Sequence, residues 1–572
     1  MQLPMTAPMP AEQSTSPAAP ARSGPTTLKQ DLVAGLTTAM MLVPQSMAYA
    51  MLAGLPPIVG LYASTLPLLV YALVGSSPFL AVGPVAIDSM LTAAALAPLA
   101  AQGSPEYVAY AALLAGMVGL VQVAMGTLRL GYLTNFISLP VLTGFTAAAS
   151  IAIGLSQVPP LLGVGGARGQ GTLALIHHVV TSLPKTKPAT LVLGLLSIAA
   201  LELLRKKRPQ FPRALVVAIA ASVLVLLVPF FRDVATVGTI PQGLPPFRLP
   251  TLDRSIVESL APSATTLALI AFLEAFSVSK AFAEKSGHEP MPNREFGALG
   301  AANVAASLVG GYPITGGLSR SAVNANAGAK SKLAGAITAT VVLLALVLLT
   351  PLFARIPKAA LAAIVVTSIV ALVDVPTMKR LYRVKRSDFG MLAATFAVTL
   401  GIGFTEGILF GVALSIGFFL YETTKPHVAV LGQIPGTTVY RNVARYPQAV
   451  QVPGFLIVRV DAQFYFGNVT FLRETLARLE AESSTRIHAV VLDASAVNNL
   501  DSSAEAALDR VFADYEKRGI DFAVASVKGP VRDVMKNAGL WQRLGKKRLY
   551  FDVHDAVEHL RARDELAEAA SP

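Results

Sequence analysis

The chain has 572 residues, 53% of them hydrophobic, 14% charged and none cysteine, with 46 Lys and Arg against 34 Asp and Glu for a net charge of +12. Soluble globular chains carry about 25% charge, so an ordinary soluble domain is excluded, and with no Cys there is neither a disulfide framework nor a thiolate metal site. The positive excess sits in short loops between apolar runs, the pattern of cytoplasmic loops in a membrane protein, and nucleic acid is excluded as the partner.

Taken in chain order, residues 1–28 are rich in Pro, Ala, Ser and Thr and lack a basic-then-apolar leader pattern, which predicts a disordered cytoplasmic tail. A transmembrane unit is predicted over 29–424, as fourteen spans or half-spans at 30–51, 58–74, 84–101, 106–127, 134–157, 185–204, 212–231, 261–284, 293–309, 316–328, 332–353, 357–373, 387–402 and 405–423. The segment 172–183 is too short to cross and is predicted to lie at the interface, with His177 and His178 near water. With the N-terminus inside, the cluster Arg205, Lys206, Lys207 and Arg208 falls inside, as do Lys330, Lys332, Lys379, Arg380, Arg383, Lys385 and Arg386. The loops placed outside carry fewer, including Arg168, Arg232 and Arg355, so the orientation obeys the positive-inside rule. Seven spans precede the long outside loop 232–260 and seven follow it, and an odd number per half requires the halves to be inverted.

The third span of each half is broken. One break runs from Pro78 through Gly83 and Pro84 to Ala86; the other holds Gly310, Gly311, Pro313, Gly316 and Gly317 and ends at Arg320. Irregular backbone at membrane depth is tolerated only where it is buried in protein or lines a cavity, and paired breaks in the two halves point to a transporter's binding site. Gly75–Val82 is long enough to return extended to the midplane, with a half-helix predicted to start at Pro84; a second is predicted from about Leu318 to Ala327. Two half-helix N-termini then face one volume, each with unpaired N–H groups and roughly half a positive charge, which makes an anion site.

After Lys425 and Pro426 the composition changes. A linker is predicted at 425–437 and an α/β domain at 438–572, with strands at 454–460, 488–493, 521–526 and 549–551 and helices at 469–481, 502–518, 528–539 and 554–570. Its charged faces and lack of a long apolar run place it in the cytosol.

These residues carry a resemblance. Val43-Pro44-Gln45-Ser46-Met47-Ala48-Tyr49-Ala50, Ala81-Val82-Gly83-Pro84-Val85-Ala86, Phe272-Leu273-Glu274 and Leu318-Ser319-Arg320-Ser321 resemble the SulP sulfate-permease family, relatives of the animal anion transporters that include prestin and pendrin. The loop from Gly238 to Pro245 looks like the same family, and Leu492-Asp493-Ala494-Ser495 with Asp501-Ser502-Ser503 resembles a STAS domain. The resemblance implies a polytopic α-helical protein of fourteen segments in 7+7 inverted repeats, like the uracil permease with its core and gate domains, followed by a cytosolic α/β STAS domain. It further implies a homodimer in a bacterial inner membrane that transports anions by an elevator-like movement.

On this basis the substrate-binding candidates are Gln45, Tyr49, Gly83, Val85, Ala86, Thr315, Gly316, Gly317, Ser319 and Arg320. Arg320 supplies a fixed positive charge or pairs with Glu274. Glu274, with Ser277 one turn on, is the candidate for proton coupling; sodium is the alternative. Asp88 departs from the apolar or small residue usual in the family and is either a satisfied helix-start residue or a second proton or cation group. Glu406 is left without a role. Ser502 matches a position phosphorylated in anti-sigma antagonists, although Ala504 stands where a Gly is usual. No cofactor, metal cluster or phosphate loop is expected, and the chain is not an enzyme. Sulfate is the first choice of substrate, with bicarbonate or dicarboxylate carriage, or uncoupled exchange or conduction, as alternatives.

Overall fold

The computed structural model describes residues 25–132, 138–165, 172–207, 211–238, 241–286 and 290–569. The first 24 residues of the predicted tail, together with Arg168, Arg208, Thr239 and Ile240, lie outside the described residues. Two compact units are present, Met1–Ser415 and Ile416–Pro572.

The fourteen predicted segments appear as Pro25–Leu52, the kinked pair Pro57–Tyr62 and Leu66–Val74, then Ala86–Leu96, Pro105–Thr127, Leu139–Leu162, Pro188–Lys207 and Arg213–Leu227. The second half runs Arg254–Ser286, Pro292–Leu308, Leu318–Asn326, Leu333–Leu348, Lys358–Ile369, Arg386–Gly401 and Phe404–Thr424. Among the described residues seven spans are long and apolar enough to cross a bilayer alone. The repetition of the two halves is visible in the packing. Helix Pro105–Thr127 packs on Pro292–Leu308, and its counterpart Leu333–Leu348 packs on Leu66–Val74; Pro25–Leu52 packs on Leu333–Leu348, and Arg254–Ser286 on Pro105–Thr127. Each pair becomes the other when the halves are exchanged. Small residues let the backbones touch: a Cβ on Gly119 would lie 2.6 Å from the Gly300 carbonyl, and one on Gly300 2.7 Å from that of Gly119.

The two half-helices begin later than, or where, the sequence places them. The first starts at Ala86 rather than Pro84, because Val82 and Gly83 form a two-residue strand, β1 (Val82–Gly83), paired antiparallel with β2 (Thr315–Gly316). Extended pairing carries the chain through Val85, at φ −130° and ψ 161°, before the helix turns. The second half-helix starts at Leu318 as expected. Gly83, at φ +149°, sits where only glycine is unstrained. The bonds Gly317 N–H to Ala81 O (3.1 Å), Ala81 N–H to Ser321 Oγ (2.9 Å) and Asn324 Nδ2 to Phe79 O (3.1 Å) lock the two breaks together.

Buried polar side chains hold the breaks from behind. Glu295 accepts from Tyr71 Oη (2.8 Å), Ser76 N (2.8 Å), Ser77 N (3.1 Å) and the Ser76 hydroxyl, so the chain leaving the second span is pinned by one carboxylate. Asn303 holds Ile314 through both backbone groups, at 2.8 and 3.0 Å, and donates to Gln122 Oε1 at 3.0 Å. Asp31, at the start of the first span, accepts from Lys330 N, Ser331 N and Ser331 Oγ.

In the second unit a six-stranded sheet has the order β4 (Tyr440–Asn442), β3 (Val428–Gln433), β5 (Phe455–Val460), β6 (Ala489–Asp493), β7 (Asp521–Ala525), β8 (Leu549–Tyr550). The parallel strands β5 (Phe455–Val460), β6 (Ala489–Asp493), β7 (Asp521–Ala525) and β8 (Leu549–Tyr550) are the four predicted. Two antiparallel strands were not foreseen: β3 (Val428–Gln433), inside the residues taken as linker, and β4 (Tyr440–Asn442). Val428–Gln433 reads as linker because the Pro before it and the Gly within it are turn signals, and pairing with β5 and β4 extends it. Both faces are covered: Leu456 and Val458 meet Leu472, Leu476 and Phe512, whereas Phe455 and Ile457 meet Val557 and Leu560. Burial on both faces explains why the parallel strands read as continuous apolar runs.

Candidate anion site

The site is built where β1 and β2 feed the half-helices Ala86–Leu96 and Leu318–Asn326. Arg320 stands in the first turn of the second and is 1% exposed. Its Nη1 donates to Pro84 O at 2.6 Å, which ties it across to the first break, while Nε and Nη2 have no acceptor. No ion pair joins it to Glu274 among the described residues, so the alternative of a purely structural pair is not realised here. Two of the predicted glycines make room for the guanidinium: a Cβ would lie 3.4 Å from Nη2 at Gly83 and 2.8 Å from Cζ at Gly317. Gly316 serves packing instead, since a Cβ there would lie 2.4 Å from Leu80.

Around this point the structure collects most of the predicted residues. Gln45 and Tyr49, on one face of the first span, are buried, and Oε1 of Gln45 has no partner. Thr315 is fully buried and its hydroxyl donates to Ala271 O, which links the break to the helix that carries Glu274. Ala86 is buried and Val85 half-buried. Glu274 is half-buried, and Tyr49 lies within Coulombic range of both it and Arg320. Ser277 and Ser319 are exposed on their helices.

Asp88 corrects one expectation. It is the third residue of its half-helix and 0% exposed, yet neither carboxylate oxygen has a hydrogen-bond partner, so it is not a satisfied helix-start residue. The site also holds a residue to which the sequence assigned no role. Tyr312, inside the second break, is fully buried with its hydroxyl 2.9 Å from Ser89 Oγ. Because Ser89 donates to Val85 O at 2.6 Å, Tyr312 is the donor to Ser89. The signal for Tyr312 was its place in a Gly-Gly-Tyr-Pro break; for Gln122 and Asn303 it was a polar side chain inside an apolar span.

A cavity of about 650 Å³ approaches the far ends of these helices, lined by Met51, Met90, Gln102, Gln157, Lys358 and Glu406 among others. Every lining helix contributes the end that the loop charges assign to the outside. In the second unit, Ser502 is exposed at the first turn of helix Ser502–Lys517, which Asp501 caps by accepting from Ala504 N at 2.7 Å.

With this geometry in place, the likenesses to known proteins are informative. Residues 28–395 match the model of the sulfate permease family, and 446–556 that of the STAS domain. The chain is 40% identical over 547 residues to the chloroplastic sulfate transporter 4.1 of Arabidopsis thaliana, covering 93% of this chain and 80% of that one. It is 36% identical over 537 residues to a probable sulfate transporter of Mycobacterium tuberculosis, covering 94% and 96%. In fold it matches the murine Slc26a9 anion transporter in its inward-facing state, with a TM-score of 0.86 at 24% identity over 94% of this chain and 92% of that one. It also matches the transmembrane domain of the cyanobacterial bicarbonate transporter BicA, with a TM-score of 0.61 at 23% identity over 69% and 99%. The chain therefore belongs to the sulfate permease family of membrane transporters, with the SLC26 fold of a transmembrane domain followed by a C-terminal STAS domain.

Proposed function

We propose that this anion transporter carries sulfate, coupled to protons through Glu274, by an elevator-like movement of the helices that hold the two breaks. One observation carries the substrate assignment: a guanidinium 1% exposed, with two nitrogens lacking an acceptor, lies between two half-helix N-termini. A buried charge of this kind costs several kcal/mol without a partner. One full charge from Arg320 and roughly half from each helix end sum to about two, which suits a divalent anion. The names of the relatives agree with sulfate. Glu274, close to the same cluster, is the group that binds and releases the coupled proton; the cavity at the outer ends of the surrounding helices supports alternating access.

The same reading places a homodimer in a bacterial inner membrane with the STAS domain in the cytoplasm. Ser502 is its candidate regulatory residue, since a phosphate at a helix start is favoured by the dipole.

The test is radiolabelled sulfate uptake into proteoliposomes with and without an inward proton gradient. Wild type shows gradient-stimulated uptake, Glu274→Gln weakens the stimulation and keeps exchange, and Arg320→Gln weakens apparent affinity about 10- to 100-fold. Uptake of bicarbonate with none of sulfate would overturn the substrate assignment, and undiminished stimulation in Glu274→Gln would overturn the role of Glu274.

A further inference from the structure

The buried carboxylates of the membrane unit differ in one respect. Asp31 and Glu295 accept three or more bonds each, from backbone amides and hydroxyls. Asp88 is equally buried and accepts none. An ionised carboxylate without a donor is costly in a dry interior, and the cost is removed by a proton.

The groups facing Asp88 are few. Helix Arg254–Ser286 brings Glu274, within Coulombic range of Asp88, and the packed helix Pro25–Leu52 carries Tyr49, within Coulombic range of Glu274. Tyr312 also lies within Coulombic range, but its hydroxyl is committed to Ser89. Arg320 is the nearby cation, and its one bond goes to Pro84 O. The other packed helices add no charge in their interiors: Pro105–Thr127 has Glu106 in its first turn, and Leu139–Leu162 has no charged residue. Nothing donates to Asp88, and the neighbouring acid disfavours a second negative charge.

The cavity lies along the same half-helix as Asp88. Thr92, one turn along the same face, is fully buried with a hydroxyl that has no partner. Beyond it, Ala93, Ala94 and Ala95 line the cavity of about 650 Å³.

We propose that Asp88 is a second proton-carrying site, so that two protons, one on Asp88 and one on Glu274, cross with each divalent anion; this rests on the proton-coupled reading above. Each carboxylate takes one proton from the outer solution to become a neutral acid and returns it on the inner side, and no other bond forms or breaks. Two protons and a doubly charged anion then cross with no net charge, whereas Glu274 alone would leave one negative charge moving with each anion.

The test measures the steady-state sulfate accumulation ratio in proteoliposomes against an imposed pH difference at zero membrane potential, which is independent of transport rate. Wild type accumulates about 100-fold per pH unit and Asp88→Asn about 10-fold, since each coupled proton contributes one factor of ten. Asp88→Val is the second neutral variant should Asp88→Asn fail to fold, and Asp88→Glu keeps the wild-type slope. A tenfold slope in wild type, or a hundredfold slope in the neutral variants, overturns the second proton and leaves Glu274 coupling standing. No dependence on the pH difference overturns both. Loss of sodium-driven accumulation in Asp88→Asn overturns the proton in favour of a cation. Independently of substrate, infrared spectra show a protonated carboxyl band at neutral pH that disappears in Asp88→Asn; its absence in wild type overturns the proposal.

Discussion

Glu295 and Asp88 flank the first break at its two ends, both are 0% exposed, and the structure treats them in opposite ways. Glu295 gathers a phenol, two backbone amides and a hydroxyl around one carboxylate and so fixes the chain where it leaves the second span. Asp88 has been given no donor at all. The same contrast separates Asn303, with its amide oxygen and nitrogen both used, from Arg320, with two nitrogens unused. Glu295 and Asn303 act as scaffold, whereas Asp88 and Arg320, at the two half-helix starts, keep unpartnered atoms that in the proposals above a proton and an anion complete.

Substitutions can break this contrast. Glu295→Gln removes the charge from several bonds and is expected to cost about 3 kcal/mol, read as a fall in the thermal midpoint of the detergent-solubilised protein; Asp88→Asn loses no bond and is expected to stay within about 1 kcal/mol of wild type. The reverse order would remove the distinction between scaffold and site. Gly83→Ala forces a Cβ onto a backbone at φ +149° and towards Nη2 of Arg320, and is expected to cost about 1–3 kcal/mol and to weaken sulfate uptake.

The smallest effect lies in the second unit. Asp461 is partly desolvated, but its bonds from Arg459 (2.6 Å) and His427 (3.0 Å) hold its carboxyl below the usual range. A carboxyl lowered on folding adds stability above its unfolded value, about pH 4, and that stability is lost as the pH falls through the folded value. Solvent screening keeps the contribution below about 1 kcal/mol. Unfolding followed at pH 7 and pH 3 in wild type and Asp461→Asn should therefore differ little, with the gap closing at the lower pH.

Much of this was legible in the chain. Fourteen apolar segments and two Gly/Pro breaks at matching places located the starts of the half-helices to within about two residues, because a helix in lipid must be long and apolar and a break must be sheltered. The strands from Phe455 to Tyr550 were legible as apolar runs for a similar reason, burial on both faces. β3 was not, because its extension depends on partners outside the segment, β4 and the more distant β5.

Residue types and their order along the chain determined that this is a polytopic protein with a soluble α/β domain, that its halves are inverted, and that Arg320 and Glu274 sit near two breaks. These follow from local rules: hydropathy, loop charge and the backbone freedom of Gly and Pro. Which buried groups are satisfied was decided only by tertiary structure. Glu295 and Asp88 are both acids in the first turn of a helix. That one meets Tyr71, Ser76 and Ser77 while the other meets no donor depends on how segments some 200 residues apart in the chain come together, and hydrogen bonds act only over about 3 Å.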